Sequence, residues 1–137
     1  MSKQAIIRVK DVMKHNFDKV DGSDTVRSAL QKMEHQDSHV LIVNKRSDDD
    51  EYGLVLLADI AKKVIAKDRS PERVNLYEIM SKPVISVRSE MDIRYCARLF
   101  NSFGLNVAPV VDNESGELVG TVSYNDIVLK GLIKLMG

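Results

Sequence analysis

The residues best suited to binding a small molecule lie between Gly120 and Ile127, where a strand-forming run changes to a helical pattern. Ser123 and Asp126 stand three positions apart there, so both side chains reach the first turn of the helix. A hydroxyl and the unpaired N–H groups of a helix start can donate to phosphate oxygens, and a carboxylate can accept from both hydroxyls of a ribose. The same pair also fits a helix capping box, which needs no ligand. The spacing alone leaves both interpretations open.

A second carboxylate, Asp59, lies 67 residues before Asp126, in the first half of the chain. Leu56 stands three residues before Asp59, whereas Ser123 stands three residues before Asp126. Leucine has no side-chain hydrogen-bonding group. A capping box therefore does not explain Asp59, and its simplest structural role is an exposed carboxylate favoured by the helix dipole. We predict one competent site around Ser123 and Asp126 and a weaker or empty site around Asp59.

No pattern in the sequence assembles a catalytic centre. It contains neither a nucleophile elbow nor a Gly-rich phosphate loop. Asp59 and Asp126 lie at equivalent places in two sites, which disfavours a shared acid–base role. Cys96 is the single cysteine and forms no internal disulfide, which fits a reducing compartment. We expect a non-enzymatic cytoplasmic protein with no catalytic cofactor and no metal centre.

The overall composition is that of an ordinary globular protein. The 137 residues include 20 Lys plus Arg and 20 Asp plus Glu, so no net charge attracts nucleic acid or an anionic membrane. No apolar run approaches the roughly 20 residues of a spanning helix, and the first residues lack a signal-peptide core. The acidic run 48–51 is either a cation site or a solvated loop. It lacks the alternating ligands and the glycine of a calcium loop, which favours the solvated loop.

Asp59 and Asp126 lie at equivalent positions of an internal sequence repeat. A shift of 67 residues superposes Met13 on Met80 and continues without a gap to Lys67 on Lys134, with 11 identities over those 55 positions. A repeat of this length is longer than those of solenoid proteins, so it indicates two units packed on each other.

Each repeat is predicted to fold as β-α-β-β-α after a short helical turn, which makes the fold class α/β of the α+β type. The repeats span 9–67 and 76–135, and the polar, proline-containing segment 68–75 links them. Period-2 and helical spacing predict, for the second repeat, strands at 84–87, 107–111 and 118–123, a helix near Ile93 to Phe100 and a final helix at 124–135. The matching final helix of the first repeat is predicted at 57–67. Ser89 and Asp92 fit a capping box, and Gly104 fits a helix stop.

Three segments of the second repeat resemble the CBS (cystathionine β-synthase-type) domain family. They are 83–87, 108–112 and 120–127, and the last looks like the family's Gly-hydrophobic-x-Thr/Ser-x-x-Asp signature. The resemblance extends over nearly the whole chain. It implies two repeats packed about a pseudo-twofold axis, with two clefts that hold AMP, ADP, ATP or a related adenosyl ligand in a sensing or regulatory role.

By this resemblance, the first strand of one repeat lies against the signature of the other. The competent cleft is then expected to be lined by Phe17, Asp18, Lys19, Val26, Asn106, Val107, Thr121, Ser123, Asn125 and Asp126, and the weaker site by Ser86, His39 and Asp59. Lys19 either contacts phosphate or points to solvent. His39 stands where some family members place a basic residue against phosphate, and it is otherwise a structural residue at the start of a strand.

The leading function is therefore a regulatory module with one dominant adenine-nucleotide site. The alternative is a structural dimerisation or docking module with no nucleotide ligand. The resemblance also implies a homodimer formed through helices 57–67 and 124–135. The apolar C-terminal run fits such a second packing surface, although packing within one chain also accounts for it. The sequence does not identify the protein target.

Overall fold

The computed structural model describes residues 6–82 and 85–137, which belong to two compact units. The first unit is Asn16–Val84, and the second unit combines Met1–His15 with Ile85–Gly137. The compact units therefore differ from the sequence repeats, because the leading segment of each repeat packs with the body of the other repeat.

The helices and strands have the following bounds in chain order: α1 (Val9–Val12), β1 (Asp18–Val20), α2 (Val26–Lys32), β2 (Val40–Val43), β3 (Gly53–Leu56), α3 (Leu57–Ile60), β4 (Val87–Arg88), α4 (Ile93–Phe103), β5 (Val107–Val111), β6 (Leu118–Ser123), α5 (Tyr124–Asp126) and α6 (Ile133–Leu135). Short 3₁₀ turns cover Gln36–Ser38 and Leu76–Glu78, and π-helical stretches cover Ala61–Ile65 and Ile127–Leu132. No helix within 6–82 and 85–137 is long and apolar enough to cross a membrane.

In the first unit, β1 and β2 are parallel and β3 is antiparallel to β2. The connection from β1 to β2 passes through α2, as parallel neighbours require a crossover. The helix begins after Thr25, whose side-chain oxygen accepts the N–H of Ser28 at 3.0 Å. Its inner face buries Val26 and Ala29. The rest of this core is apolar and comprises Val20, Leu41, Val43, Val55, Ile60, Val64, Val74, Leu76 and Ile79.

The second unit repeats this topology with β4, β5 and β6. The inner face of α4 buries Ile93, Cys96 and Phe100, and the Phe100 ring packs edge-on against Tyr124 with 5.3 Å between ring centroids. Burial raises the pKa of the Cys96 thiol to about 11. The thiol therefore stays protonated and unreactive at neutral pH.

The strand registers confirm the duplication read from the sequence. Val20 pairs with Val43 in one sheet, and the residues 67 positions later, Val87 and Val110, pair in the other. The strands expected at 107–111 and 118–123 have those bounds. The helix stop at Gly104 is also confirmed, since this residue has a φ of 66° and closes α4.

Three local predictions are corrected. The strand expected at 84–87 is Val87–Arg88, preceded by Ile85 and Ser86 without strand structure, while residues 83 and 84 lie outside the described residues. The helix expected to run to residue 67 ends its π-helical stretch at Ile65. Ser89 does not form a capping box with Asp92, because α4 begins after Asp92 and the Ser89 N–H, which the box would give to Asp92, is bonded to the Val111 carbonyl. Asp92 caps the helix instead, accepting the N–H of Arg94 at 2.8 Å.

Candidate functional site

The candidate site lies where β6 ends and α5 begins. Ser123 is the last residue of the strand and the N-cap of the helix, with extended backbone angles. Its neighbour Tyr124 donates its N–H to the carbonyl of Asn106, the residue just before β5, at 3.1 Å. The junction is therefore fixed by the strand pairing on one side and by this backbone bond on the other.

Ser123 and Asp126 form a complete capping box. The Asp126 carboxylate accepts the N–H and the hydroxyl of Ser123, both at 3.0 Å, and the N–H of Asp126 donates back to the Ser123 hydroxyl at 3.2 Å. Only 4% of Asp126 is exposed. The structural interpretation of the pair is thus correct, and it leaves the other carboxylate oxygen, Oδ1, for a further partner.

That partner is Lys14, which no pattern in the sequence suggested. Its ammonium lies 2.8 Å from Asp126 Oδ1, and the Lys130 ammonium lies 3.9 Å from the same oxygen. Lys14 comes from the segment after α1, whose backbone is bonded to Thr121 on β6. Gly120 permits this approach, because a Cβ there would overlap the Lys14 carbonyl oxygen. No local spacing links Lys14 to Asp126, so only the folded chain reveals the ion pair.

The backbone donors at the start of α5 are largely occupied. The N–H groups of Ser123, Tyr124 and Asp126 are bonded within the second unit, to Asp126, Asn106 and Ser123 respectively. These three N–H groups are therefore engaged, and phosphate binding at this helix start stays a prediction. Lys14 and Lys130 are the cationic side chains next to Asp126.

The other residues expected around this site in the second unit lie close to the junction. Val107 pairs with Ser123 across the sheet and is half-buried, and Asn106 and Asn125 are exposed. Thr121 is 2% exposed and meets Lys14 through backbone bonds. Asn106, Val107 and Thr121 thus support the junction through their backbones, while the Asn125 amide is open to solvent.

Four expected lining residues belong to the first unit. Asp18 accepts two backbone N–H groups from the loop after α2, both at 2.9 Å, and so anchors that loop. Phe17 is half-buried before β1, and Lys19 is exposed on β1. Val26 packs in the core of its unit with no exposed surface. Its side chain faces the core because the first turn of α2 packs on the sheet, and a role of Val26 in the cleft stays a prediction.

The weaker site differs from the expectation at Asp59. This half-buried carboxylate accepts the N–H of Leu56 at 3.0 Å, so it keeps one half of a capping box without a hydroxyl partner. We expected Leu56 to exclude a capping role for Asp59, and this is wrong, because the donor is the backbone N–H of Leu56 and not a side chain.

His39 is exposed and its backbone is left-handed, with a φ of 60°, and its carbonyl accepts the N–H of Leu57 at 3.0 Å. His39 therefore ends a 3₁₀ turn and does not start a strand. Ser86, the third residue expected at the weaker site, belongs to the second unit.

One residue of the acidic run 48–51, Asp50, forms an ion pair with a lysine. Lys82 donates to Asp50 at 2.6 Å, and this contact, with the N–H of Arg46, holds the pKa of the Asp50 carboxyl well below its usual range. No group of three or more metal-ligating side chains occurs in the part of the chain that the structure describes.

A cavity of about 520 Å³ lies in the first unit, at the end of the sheet away from Leu56. It is lined by Asp21, Gly22, Ser23, Val43, Asn44, Lys45, Arg46, Tyr77, Met80 and Lys82.

Comparisons with known proteins agree with this architecture. The CBS domain family model matches residues 9–66 and 76–131. An uncharacterized protein of Methanopyrus kandleri is 33% identical over 114 residues, which is 81% of this chain and 57% of that protein, so the chain spans little more than half of its relative. The hexameric CBS-CP12 protein from bloom-forming cyanobacteria superposes with a TM-score of 0.83 and 35% identity, covering 91% of this chain and 71% of that chain.

The cytosolic domain of the Mg²⁺ channel MgtE, solved in complex with ATP, superposes with a TM-score of 0.64 and 26% identity, covering 85% of this chain and 46% of that one. The two family matches coincide with the duplicated segments and together take in most of the sequence. The chain belongs to the CBS domain family and carries two tandem CBS domains.

Proposed function

We propose that this protein is a regulatory module that binds an adenine nucleotide through Ser123 and Asp126. The proposal rests chiefly on the Asp126 carboxylate, which is almost fully buried at a strand-to-helix junction and is held by both Ser123 and Lys14. Lys14 and Ser123 offset the cost of burying this charge and fix the position of the carboxylate at the junction. The ATP complex of the MgtE cytosolic domain supports a nucleotide as the ligand class.

In the proposed complex, Asp126 accepts the ribose hydroxyls. Hydrogen bonds from a cis-diol to one carboxylate are short-range and directional, so they would select ribose over deoxyribose. Asn125, Asn106 and Val107 are proposed around the same ligand from the second unit. Phe17, Asp18 and Lys19 remain proposed contacts from the first unit.

The second site, around Asp59, is proposed to bind nucleotide weakly or not at all. Leu56 supplies no hydroxyl there, and Ser81 stands at the repeat position of Lys14. Asp59 thus has neither of the two side-chain partners that Asp126 has. The unequal signatures favour one dominant site, with His39 and Ser86 kept as candidate contacts of the weaker one.

Thermal melting with AMP, ADP, ATP and S-adenosylmethionine at millimolar concentration tests this function. A ligand present at 100 times its Kd adds about 2.7 kcal/mol to the free energy of unfolding, which raises Tm by several degrees. Asp126→Asn should abolish the shift, and the matched variant Asp59→Asn should keep most of it. Absence of a shift with all four compounds would reject the nucleotide function, and the reverse pattern of variants would place the site at Asp59.

We also propose self-association through the helices that follow the signature strands. The exposed apolar side chains of the C-terminal helix support this, since Val128, Leu129, Leu132, Ile133 and Met136 are 48–77% exposed. The hexameric CBS-CP12 protein gives a second line of support for self-association.

A structural docking module that binds no nucleotide is the alternative function, and the same exposed apolar surface favours it. In either case we propose a cytoplasmic protein that catalyses no reaction and acts on a partner.

A further inference from the structure

The ion pair between Lys14 and Asp126 bears on which ligands the proposed site accepts. Asp126 Oδ2 is occupied by two donors of Ser123, and Oδ1 faces Lys14 at 2.8 Å. Only 4% of the aspartate is exposed, and Lys14 is the nearer of the two ammonium groups beside Oδ1, with Lys130 at 3.9 Å. A ribose that binds Asp126 must therefore move the Lys14 ammonium away from Oδ1.

Displacement leaves a positive charge that needs a new partner. The Lys14 side chain is 31% exposed, so water solvates its ammonium only in part once the carboxylate is taken. The Lys130 ammonium lies 3.9 Å from Asp126 Oδ1 and its side chain is 49% exposed, so water solvates it more readily than it solvates Lys14. Asp126 is the one carboxylate paired with Lys14 among the described residues. The ligand itself is then the nearest source of a compensating negative charge.

The neighbouring backbone supports the same conclusion. The N–H groups of Ser123, Tyr124 and Asp126 are already bonded within the unit, so they are not available to a phosphate without breaking those bonds. Lys14 is held in place by its two backbone bonds to Thr121, which keep its side chain near the junction whether or not it contacts Asp126. The Lys14 ammonium therefore stays within reach of Asp126 and of an anionic group that a ligand brings to this junction.

The first repeat provides an internal comparison. Its Ser81, at the position of Lys14, makes the equivalent backbone bridge to Leu54. Its carboxylate, Asp59, has no salt bridge among the described residues and accepts the N–H of Leu56. The charge arrangement therefore belongs to the Asp126 junction and not to the fold that both repeats share.

Resting on the proposed nucleotide function, we propose that Lys14 makes the Asp126 site selective for anionic adenosyl ligands. The ribose takes Asp126, and the displaced ammonium pairs with a phosphate of the ligand. Neutral adenosine breaks the same ion pair without replacing it, so it binds more weakly than AMP, ADP or ATP.

Isothermal titration of AMP and adenosine tests this selectivity, because the two ligands share the nucleoside and differ in the phosphate. The wild-type protein should bind AMP at least tenfold more tightly than adenosine. Lys14→Met should reduce the AMP-to-adenosine preference at least fivefold, while Lys14→Arg should retain most of it. Lys10→Met, which removes the same charge from α1 in the same unit, should leave the preference unchanged.

A second measurement does not depend on the folding of any variant. In the wild-type protein, raising NaCl from 50 to 500 mM should weaken AMP binding several-fold more than adenosine binding, because only AMP forms the new ion pair. Equal affinities of wild-type protein for the two ligands, or an unchanged preference in folded Lys14→Met, would overturn the selectivity while leaving nucleotide binding intact. Failure of every adenine compound to bind would overturn both proposals.

Discussion

Lys14 and Thr121 exchange two backbone hydrogen bonds, with N–O distances of 2.8 and 3.0 Å. These bonds hold the segment after α1 against β6, directly beside Gly120. A Cβ on Gly120 would overlap the Lys14 carbonyl oxygen and lie 3.2 Å from the Met13 sulfur. Glycine at this position is therefore a condition for the strand contact that brings the Lys14 ammonium to Asp126.

Gly120→Ala should lower the free energy of unfolding by about 1–3 kcal/mol, because the new methyl group meets a backbone atom that cannot turn away. Gly53→Ala is the matched control at the equivalent repeat position. There the nearest atom is the Met80 sulfur at 2.7 Å, at the far end of a flexible side chain, so a smaller loss is expected. Urea unfolding of both variants measures the difference, and equal losses would contradict the strand contact.

Ser123→Ala should lower the free energy of unfolding by about 1 kcal/mol, because it removes the hydroxyl that caps the Asp126 N–H. Ser102→Ala, on the exposed face of α4, is the control and should be neutral or slightly stabilising, since alanine is the better helix former. Chemical denaturation of the two variants makes the comparison. A loss as small as that of the control would show that the capping box contributes little.

The raised pKa of Cys96, about 11 against an ordinary value of 9.0, predicts both reactivity and pH dependence. In the native protein the thiol should not react with an aromatic disulfide reagent at pH 8, and it should react once the chain is unfolded. Above pH 9 the unfolded thiol ionises while the native thiol does not. The stabilisation is thus complete below pH 9 and falls by up to about 1.4 kcal/mol per pH unit until pH 11.

Cys96→Ala separates this thiol from the tyrosines and lysines that titrate in the same range. The slope of the unfolding free energy against pH between 9 and 11 should be shallower in this variant than in the wild-type protein. Identical slopes would mean that the thiol ionises equally in both states.

Leu129→Glu and Ile133→Glu should convert an oligomer to monomers, since each places a charge in an apolar surface that is proposed to be buried between copies. These side chains are 65% and 63% exposed within one chain. Phe103→Glu is the control, because Phe103 is equally exposed, at 60%, but ends α4. Size-exclusion chromatography with light scattering reports the mass. A monomeric wild-type protein, or dissociation by the control alone, would count against this surface.

Several features of the fold were predictable from local sequence. Strands 107–111 and 118–123 follow from short apolar runs bounded by turn residues, and Gly104 ends α4 because its left-handed φ favours glycine. The 67-residue repeat predicted a second sheet of the same topology, and the strand registers agree with it. Helix boundaries were harder to place, because Ser89 and Asp92 are both good caps and only the folded chain shows that the Ser89 N–H is bonded to β5 and that Asp92 caps the helix.

By itself, the sequence determined that the two signatures are unequal, since Ser123 and Leu56 differ in whether a side chain can form hydrogen bonds. The tertiary structure decided what each carboxylate contacts. Asp59 accepts a backbone N–H, a group that every residue except proline carries and that no side-chain pattern reveals. Asp126 pairs with Lys14 because backbone bonds to Thr121 place that lysine there. Contacts between distant segments depend on how the chain folds back, and residue spacing records only local geometry.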